Sequence, residues 1–434
     1  MDLFSSSGRE TDPLSRDTNK SAPATSNGQE RGLLSLAFIS AAGHWHYHEN
    51  SDCQRVRTMK ILLDDGLSTS VALTGIGHQC LGLYHHLRNF AEVTLADYHE
   101  IGWLPRQVRR AAYLFVSNVS CPLSSYDVVH YNNFYTPRLP SRGAKVVTIH
   151  DLWMFHRPDT LPRRYVPYIQ RAVAHSLQRA ELVIVPSVAI EQEILLFFPS
   201  TPPDKIIVLF NGLRDIFWRP PETAGEVVAD LQDKSYFLHV GTIEERKNIS
   251  FLVQCFQRAR QRGDLKRDSR LVLVGRLGPG HEQIMPLIRA CDFVHLLGHV
   301  SDEELLWLYH HAKALVFPSL YEGFGIPLIE AMSCKLPIIR SDITASIEID
   351  RRNGSRMFGF PLDSSDKLCE MLCLLEREGE YIRASLDYGD LSIYHFDQVA
   401  RQHLAAYQMA IERKAQFGSC SRPTCHHRTQ DKGK

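Results

Sequence analysis

Pro318-Ser319-Leu320-Tyr321-Glu322-Gly323-Phe324-Gly325-Ile326-Pro327-Leu328-Ile329-Glu330-Ala331-Met332 follows directly on an apolar run, Ala314-Leu315-Val316-Phe317. The run is short and continuous, so it reads as a buried strand. Pro318 and Ser319 end it, and the glycines at 323 and 325 let a backbone turn and approach a ligand closely. An apolar periodic segment then starts at Ile326 or Pro327, and proline suits the first turn of a helix, where its missing N–H costs nothing. The stretch therefore predicts strand, glycine loop and helix. One carboxylate, Glu322, falls in the loop and a second, Glu330, in the first turns of the helix. The N-terminus of such a helix offers unpaired N–H groups and the positive end of a dipole to anions. A carboxylate aimed into the same site can accept hydrogen bonds from sugar hydroxyls.

Outward from this stretch, short apolar runs alternate with amphipathic segments from Met59 onward, which predicts α/β layers with mostly parallel sheets. Strands are expected at Lys60–Asp64, Glu92–Ala96, Val128–Tyr131, Lys145–Ile149 and Leu182–Val185. Between Phe210 and Val227 the chain carries Asn211-Gly212 and Pro220-Pro221 without periodicity, as a linker would. A second set follows at Tyr236–Val240, Leu271–Val274, Val294–Leu297, Ala314–Phe317 and Leu336–Arg340. Two nucleotide-fold halves facing across a cleft is the simplest arrangement, with ligands at the carboxyl ends of the strands.

At 434 residues the chain has room for two or three domains and an ample core. Lys plus Arg and Asp plus Glu both total 49, so the net charge is zero. Nothing global argues for nucleic acid, and an anion site must be a local cluster. Most of the ten cysteines lie in apolar surroundings, as at Cys255, Cys369 and Cys373, and read as reduced core thiols. Cys420, Cys425, His426 and His427 in the polar tail lack a second cysteine pair at ligand spacing, so no metal is expected there. No apolar run reaches the roughly 18 residues of a membrane span. Leu33–Ala42 is too short, and some thirty mostly polar residues before it argue against a signal peptide.

Three further loops carry candidate chemistry. Gly241-Thr242-Ile243-Glu244-Glu245-Arg246-Lys247-Asn248 joins a strand to a helix opening at Asn248 or Ser250. Its adjacent cations beside a helix N-terminus suit a diphosphate, although a basic turn on its own also reads as solvated surface. Thr74-Gly75-Ile76-Gly77 lies in the first βα connection, ahead of a helix around His78–Phe90. Cys80 stands where a dinucleotide fingerprint needs its third glycine, so a nicotinamide cofactor is not supported. His150 directly follows the strand ending at Ile149, where it serves either chemistry or a strand end tied to Asp151. Ser301 and Glu304 form a capping box and read as structural.

Together these segments resemble the retaining glycosyltransferases of family 4, whose Glu-x7-Glu motif matches Glu322 and Glu330. The resemblance runs from about Met59 to Tyr407 and implies the GT-B architecture, α/β with two Rossmann-like domains and a C-terminal helix that crosses back to the first. The implied division is an extension over 1–58, a first domain over 59–217, a linker over 218–232, a nucleotide-sugar domain over 233–395, the crossover helix over 396–416 and a tail over 417–434. By the family's pattern Glu322 and His150 lie against the transferred sugar, Glu330 holds the ribose, and Arg246 and Lys247 neutralise the leaving diphosphate. Gly75, Gly77, Gly241, Gly323, Phe324 and Gly325 would line the donor. Cys334-Lys335 departs from the small-glycine pair usual after Glu-Ala-Met. The resemblance implies a cytoplasmic, metal-independent enzyme that moves a hexose from a nucleotide sugar to a glycan or lipid-linked acceptor, with contact at the inner face of the membrane where the acceptor is lipid-linked. Mannose from GDP-mannose is favoured over UDP- or other nucleoside-diphosphate hexoses. A sucrose- or trehalose-type synthase and a catalytically silent sugar-nucleotide binder are the alternatives. Retention of Glu322, Glu330, Arg246, Lys247 and His150 together argues against silence.

Residues 1–58 carry no motif and little apolar periodicity, which predicts an extension outside the folded body. Deleting Met1–Thr58 should leave a soluble protein with the same donor preference and nearly the same melting temperature. Aggregation, or a melting temperature several degrees lower, would show that Leu33–Ala42 belongs to the first domain.

Overall fold

The apolar runs form two six-stranded sheets in which every neighbouring pair is parallel. This computed structural model describes residues 58–64, 75–96, 125–136, 141–160, 165–221 and 235–420, with single positions 163, 225, 228 and 231 between them. The chain divides into Met1–Val56, outside the described residues, and a unit over Arg57–Lys434. The readings of the leading segment, of Thr74 and of Cys425, His426 and His427 also fall outside the described residues.

The first lobe contains β1 (Lys60–Asp64), α1 (Gly75–Leu87), β2 (Glu92–Leu95), β3 (Val128–Tyr131), β4 (Ala144–Thr148), α2 (Trp153–His156), α3 (Val166–Arg179), β5 (Leu182–Val185), α4 (Val188–Phe197) and β6 (Ile206–Val208), with strand order β2-β1-β3-β4-β5-β6. The second contains β7 (Tyr236–Val240), α5 (Ile249–Arg262), β8 (Arg270–Val274), α6 (His281–Arg289), β9 (Val294–Gly298), α7 (Asp302–His311), β10 (Ala314–Phe317), α8 (Ile326–Ser333), β11 (Ile338–Ser341), α9 (Thr344–Arg352), β12 (Phe358–Phe360) and α10 (Ser365–Ser385), with order β12-β11-β10-β7-β8-β9. β3, β4, β5 and β10 are buried on both faces, which is why they read as apolar runs rather than alternating ones. β1, β3, β5, β7 and β10 have the ends the sequence predicts, and the other predicted strands shift by a residue or two. β6 and β12, three residues each, have no counterpart in the sequence reading because so short a run leaves no pattern to detect.

One local expectation is corrected. The sequence places Gly75 and Gly77 in a loop ahead of a helix at His78, but α1 begins at Gly75 and includes both. Glycine is a poor helix former, and here tertiary packing overrides propensity. A Cβ on Gly75 would stand 3.5 Å from Ile326 Cδ1, at the first residue of α8, and Gly77 is buried. The start of the helix therefore lies within van der Waals reach of the second lobe.

The last helix, α11 (Phe396–Cys420), leaves the second lobe and lies against α1, β3, β4 and β5 of the first. Its first residue fastens it. The Phe396 ring is buried between Gly82 of α1 and Gly212 of the linker, so close that a Cβ on either glycine would overlap the ring. Gln79 closes the same joint by exchanging two 2.7 Å hydrogen bonds with the backbone of Gly212. Phe396→Ala is expected to cost about 3–5 kcal/mol, because the pocket is walled by backbone and cannot collapse. A urea midpoint equal to that of the unsubstituted chain would show that the ring does not anchor the crossover.

Candidate functional site

In the second sheet the strand order reverses between β7 and β10, which pair directly through Ala314↔Phe237 and Leu315↔Leu238. The loops leaving these two strands therefore emerge side by side, at the kind of switch point where open α/β sheets bind ligands. The β7 loop carries Arg246 and Lys247 on a 3-10 turn, Glu245–Lys247, and Asn248 then enters α5 through a left-handed conformation (φ 56°). The β10 loop carries Glu322. Leu320 N–H donates to the Arg246 carbonyl at 2.8 Å, which stitches the two loops together.

Every oxygen of Glu322 is engaged. Lys247 Nζ donates to Oε1 at 2.5 Å, Ser319 Oγ donates to Oε1 at 2.7 Å, and Arg246 Nη1 donates to Oε2 at 2.8 Å. Burial alone would raise the carboxyl pKa, but the attraction of Lys247 and Arg246 outweighs it and lowers the value to about 2. The carboxylate is therefore ionised and acts purely as an acceptor. Burial draws the Lys247 ammonium below the usual lysine range against the pull of Glu322. Arg246 also donates to the Tyr321 carbonyl at 3.2 Å and to Glu244 at 3.1 Å. Gly241, at the end of β7, sits where a Cβ would come within 3.3 Å of Lys247 Cε.

Glu330 lies one loop away on α8 and is 3% exposed. Arg214 Nη2 donates to Oε1 and Tyr309 OH to Oε2, both at 2.8 Å. The other Arg214 nitrogen, Nη1, pairs with Asp302 at the start of α7. Gly325 caps α8 with φ 126°, a conformation that favours glycine. Phe324 is turned away: its ring lies in the second lobe's core, stacked 6.0 Å from Phe210. Only its main chain is left to face a ligand.

The contact of Gly75 with Ile326 brings the N-termini of α1 and α8 together. Two positive dipole ends then converge beside Glu330 and Arg214. His78, one turn into α1, registers the same neighbourhood. Burial, then the charge of Arg214, hold its pKa below the usual histidine range.

His150 stands at the carboxyl end of β4. Its Nε2 lies 3.0 Å from the Asn132 carbonyl, which can only accept, so Nε2 carries the proton. Burial lowers its pKa, which leaves Nδ1 as an acceptor in a neutral ring. Gly323 comes so close that a Cβ there would overlap the His150 carbonyl oxygen, and Ser187 Oγ donates to the Gly323 carbonyl at 2.6 Å. The structure thus brings His150, Arg246, Lys247, Glu322 and Gly323 to one place and Gly75, Gly77, Gly325 and Glu330 to an adjoining one. Arg214, Tyr309, Ser319 and Tyr321 were missed by sequence reasoning. Ser319 and Tyr321 sit inside the decisive stretch itself, but Arg214 and Tyr309 lie in a linker and a helix with no local signal. Ser301 and Glu304 form the predicted capping box. Among the described residues no three His, Cys, Asp or Glu side chains converge as metal ligands would, and no helix is long and apolar enough to cross a membrane.

Residues 66–215 match the family described as Glycosyltransferase Family 4, and residues 226–372 match Glycosyl transferases group 1. O-antigen chain mannosyltransferase B of Escherichia coli is 32% identical over 230 residues, 51% of this chain and 58% of that protein. Four curated relatives, this one included, are spanned over 56–60% of their length. Sucrose-phosphate synthase of Thermosynechococcus elongatus shares the fold with a TM-score of 0.59 at 18% identity, over 84% of this chain and 100% of that one. The Anabaena protein HepE, in complex with UDP-glucose, does so with a TM-score of 0.55 at 19% identity, over 83% and 100%. Matched on one lobe by family 4, matched on the other by group 1, and folded as GT-B proteins are, this chain belongs to the group 1, family 4 glycosyltransferases.

Proposed function

We propose that this chain is a retaining, metal-independent glycosyltransferase that moves a hexose, with mannose favoured, from a nucleotide sugar to a glycan or lipid-linked acceptor. The observation that carries the reading is the charge arrangement at the β7–β10 switch point. An ionised Glu322 is held by Arg246, Lys247 and Ser319 beside a crevice where the N-termini of α1 and α8 meet. A nucleoside diphosphate suits that crevice, since its phosphates would receive two helix dipoles and two cations. Glu330 would supply acceptor oxygens for the ribose hydroxyls, and Glu322 and His150 Nδ1 acceptors for sugar hydroxyls. The mannosyltransferase relatives favour mannose, hence GDP-mannose, while the likeness to sucrose-phosphate synthase is one of fold.

In the reaction, the acceptor hydroxyl attacks the anomeric carbon on the face from which the diphosphate departs. The carbon–oxygen bond to phosphate breaks through an oxocarbenium-like state, the glycosidic bond forms, and the hydroxyl proton passes to a departing phosphate oxygen. Arg246 and Lys247 act on the charge that develops on that phosphate. Glu322 is their counterion in the structure, and a bound diphosphate would share the two cations with it.

A thermal-shift panel of GDP, UDP, GDP-mannose and UDP-glucose tests donor recognition, because specific binding raises the melting temperature by mass action. Failure of every one to shift it would sink the reading. Glu330→Ala should weaken nucleoside-diphosphate binding strongly, since hydrogen bonds to a charged acceptor contribute about 1.5–3 kcal/mol each. Unchanged affinity in calorimetry of the folded variant would remove the ribose role. Arg246→Ala or Lys247→Ala should lower turnover more than donor affinity, by about 2.7–4 kcal/mol of barrier, as at comparable electrostatic sites. Turnover should also survive EDTA. Loss restored by Mn²⁺ or Mg²⁺ would contradict metal independence.

A further inference from the structure

Glu322 is gripped from within its own lobe, yet the residues on either side of it are gripped from the other. Tyr321 reaches across into the first lobe. Its hydroxyl donates to Glu193 Oε2 on α4 at 2.7 Å and accepts the N–H of Leu152 at 2.8 Å. Leu152 lies two residues beyond His150. The Tyr321 ring packs 5.6 Å from Trp153 and 5.0 Å from His156, and His156 Nε2 is itself 3.2 Å from Glu193. Burial, then Asp151 and Glu193, push the phenol far above its usual pKa, so it stays a donor. The Tyr321 carbonyl is held by Arg246, and on the far side of Glu322 the Gly323 carbonyl is held by Ser187.

We infer that Tyr321 is a positioning residue: its hydroxyl fixes the Glu322 loop to the His150 loop, so that Glu322 takes its working place only when the lobes are together. A tyrosine needed for packing alone would have no use for the hydroxyl. This one satisfies a main-chain donor of the His150 loop and a carboxylate of α4 at once, and both partners belong to the opposite lobe. The inference rests on the transfer reading of Glu322 and His150, and it adds that lobe closure and placement of the carboxylate are a single event.

The test uses the full chain and Tyr321→Phe, which deletes one oxygen and keeps the ring. Three quantities are read: hydrogen exchange of the Leu152 amide, release of nucleoside diphosphate from GDP-mannose and from UDP-glucose at saturation, and the Kd for GDP and UDP. The variant should exchange Leu152 faster and lose roughly 10- to 100-fold in kcat, as small misplacements of catalytic groups do, with Kd held within about twofold. Unchanged Leu152 exchange overturns the inference whatever the rates. So does a normal kcat, or a loss of kcat matched by the same loss in nucleotide affinity, which would mark a general structural defect. If the unsubstituted chain turns over neither donor, the transfer reading fails, and the clasp itself then stands or falls on Leu152 exchange.

Discussion

The pairing of Glu322 with Lys247 and Arg246 is the interaction on which the site depends. Taking a carboxylate and an ammonium out of water is costly, and their attraction offsets that cost only where geometry is good and the remaining hydrogen bonds are made. Both conditions hold, because Ser319 completes Oε1 and Arg246 completes Oε2. Removing either cation leaves part of a buried negative charge uncompensated, and breaking such pairs costs about 3–5 kcal/mol. The ion pair therefore holds the β7 and β10 loops together and at the same time stores two cations facing a crevice that suits an anion.

The same logic recurs at Glu330, with a linker residue as the cation. Arg214 lies between the lobes in sequence, yet it neutralises a carboxylate of α8 and another at the start of α7. Leu213 and Phe217 on either side of it pack into the second lobe's core, and Leu213 N–H donates to the Tyr394 carbonyl at 2.7 Å. Arg214 is thus anchored despite its place in a connecting segment. Each Glu330 oxygen has one partner, while a carboxylate offers about four lone-pair directions.

Much of this was legible in the chain. The strand-loop-helix of Ala314–Met332 could be read because apolar length, loop glycines and a helix-starting proline all agree locally, and the structure follows it closely. The charged residues of the β7 loop could be read as an anion site because they are adjacent. Gly75 and Gly77 were misplaced because glycine is a poor helix former, so a local window reads the pair as a loop although both lie inside α1. Arg214, Tyr309 and the Tyr321–Glu193 bond escaped for a different reason: each is a long-range polar contact, and the sequence records only that a polar residue is present. The position of Phe396 between Gly82 and Gly212 is of this kind too, since bulk at one site is matched by its absence at two distant ones.

The contacts between the lobes around Glu322 are mostly polar, and that bears on how the protein works. Glu348 on α9 accepts hydrogen bonds from Val188 and Ala189, the first two N–H groups of α4, so one lobe caps a helix of the other. Burial raises the Glu348 carboxyl pKa, and those two N–H groups pull it back. Ser187 holds Gly323, Tyr321 holds Leu152 and Glu193, and Arg157 pairs with Glu245 at 3.0 Å. Each of these groups can exchange its partner for water at little net cost, because a typical hydrogen bond adds only about 0.5–1.5 kcal/mol over its hydrated alternative. An apolar seam of the same extent would resist parting, whereas a polar one opens and re-forms. The permanent joint lies elsewhere, where α11 buries Phe396 and Tyr407 against the first lobe. The fold therefore separates an apolar attachment from a polar one, and it places the polar contacts around Glu322.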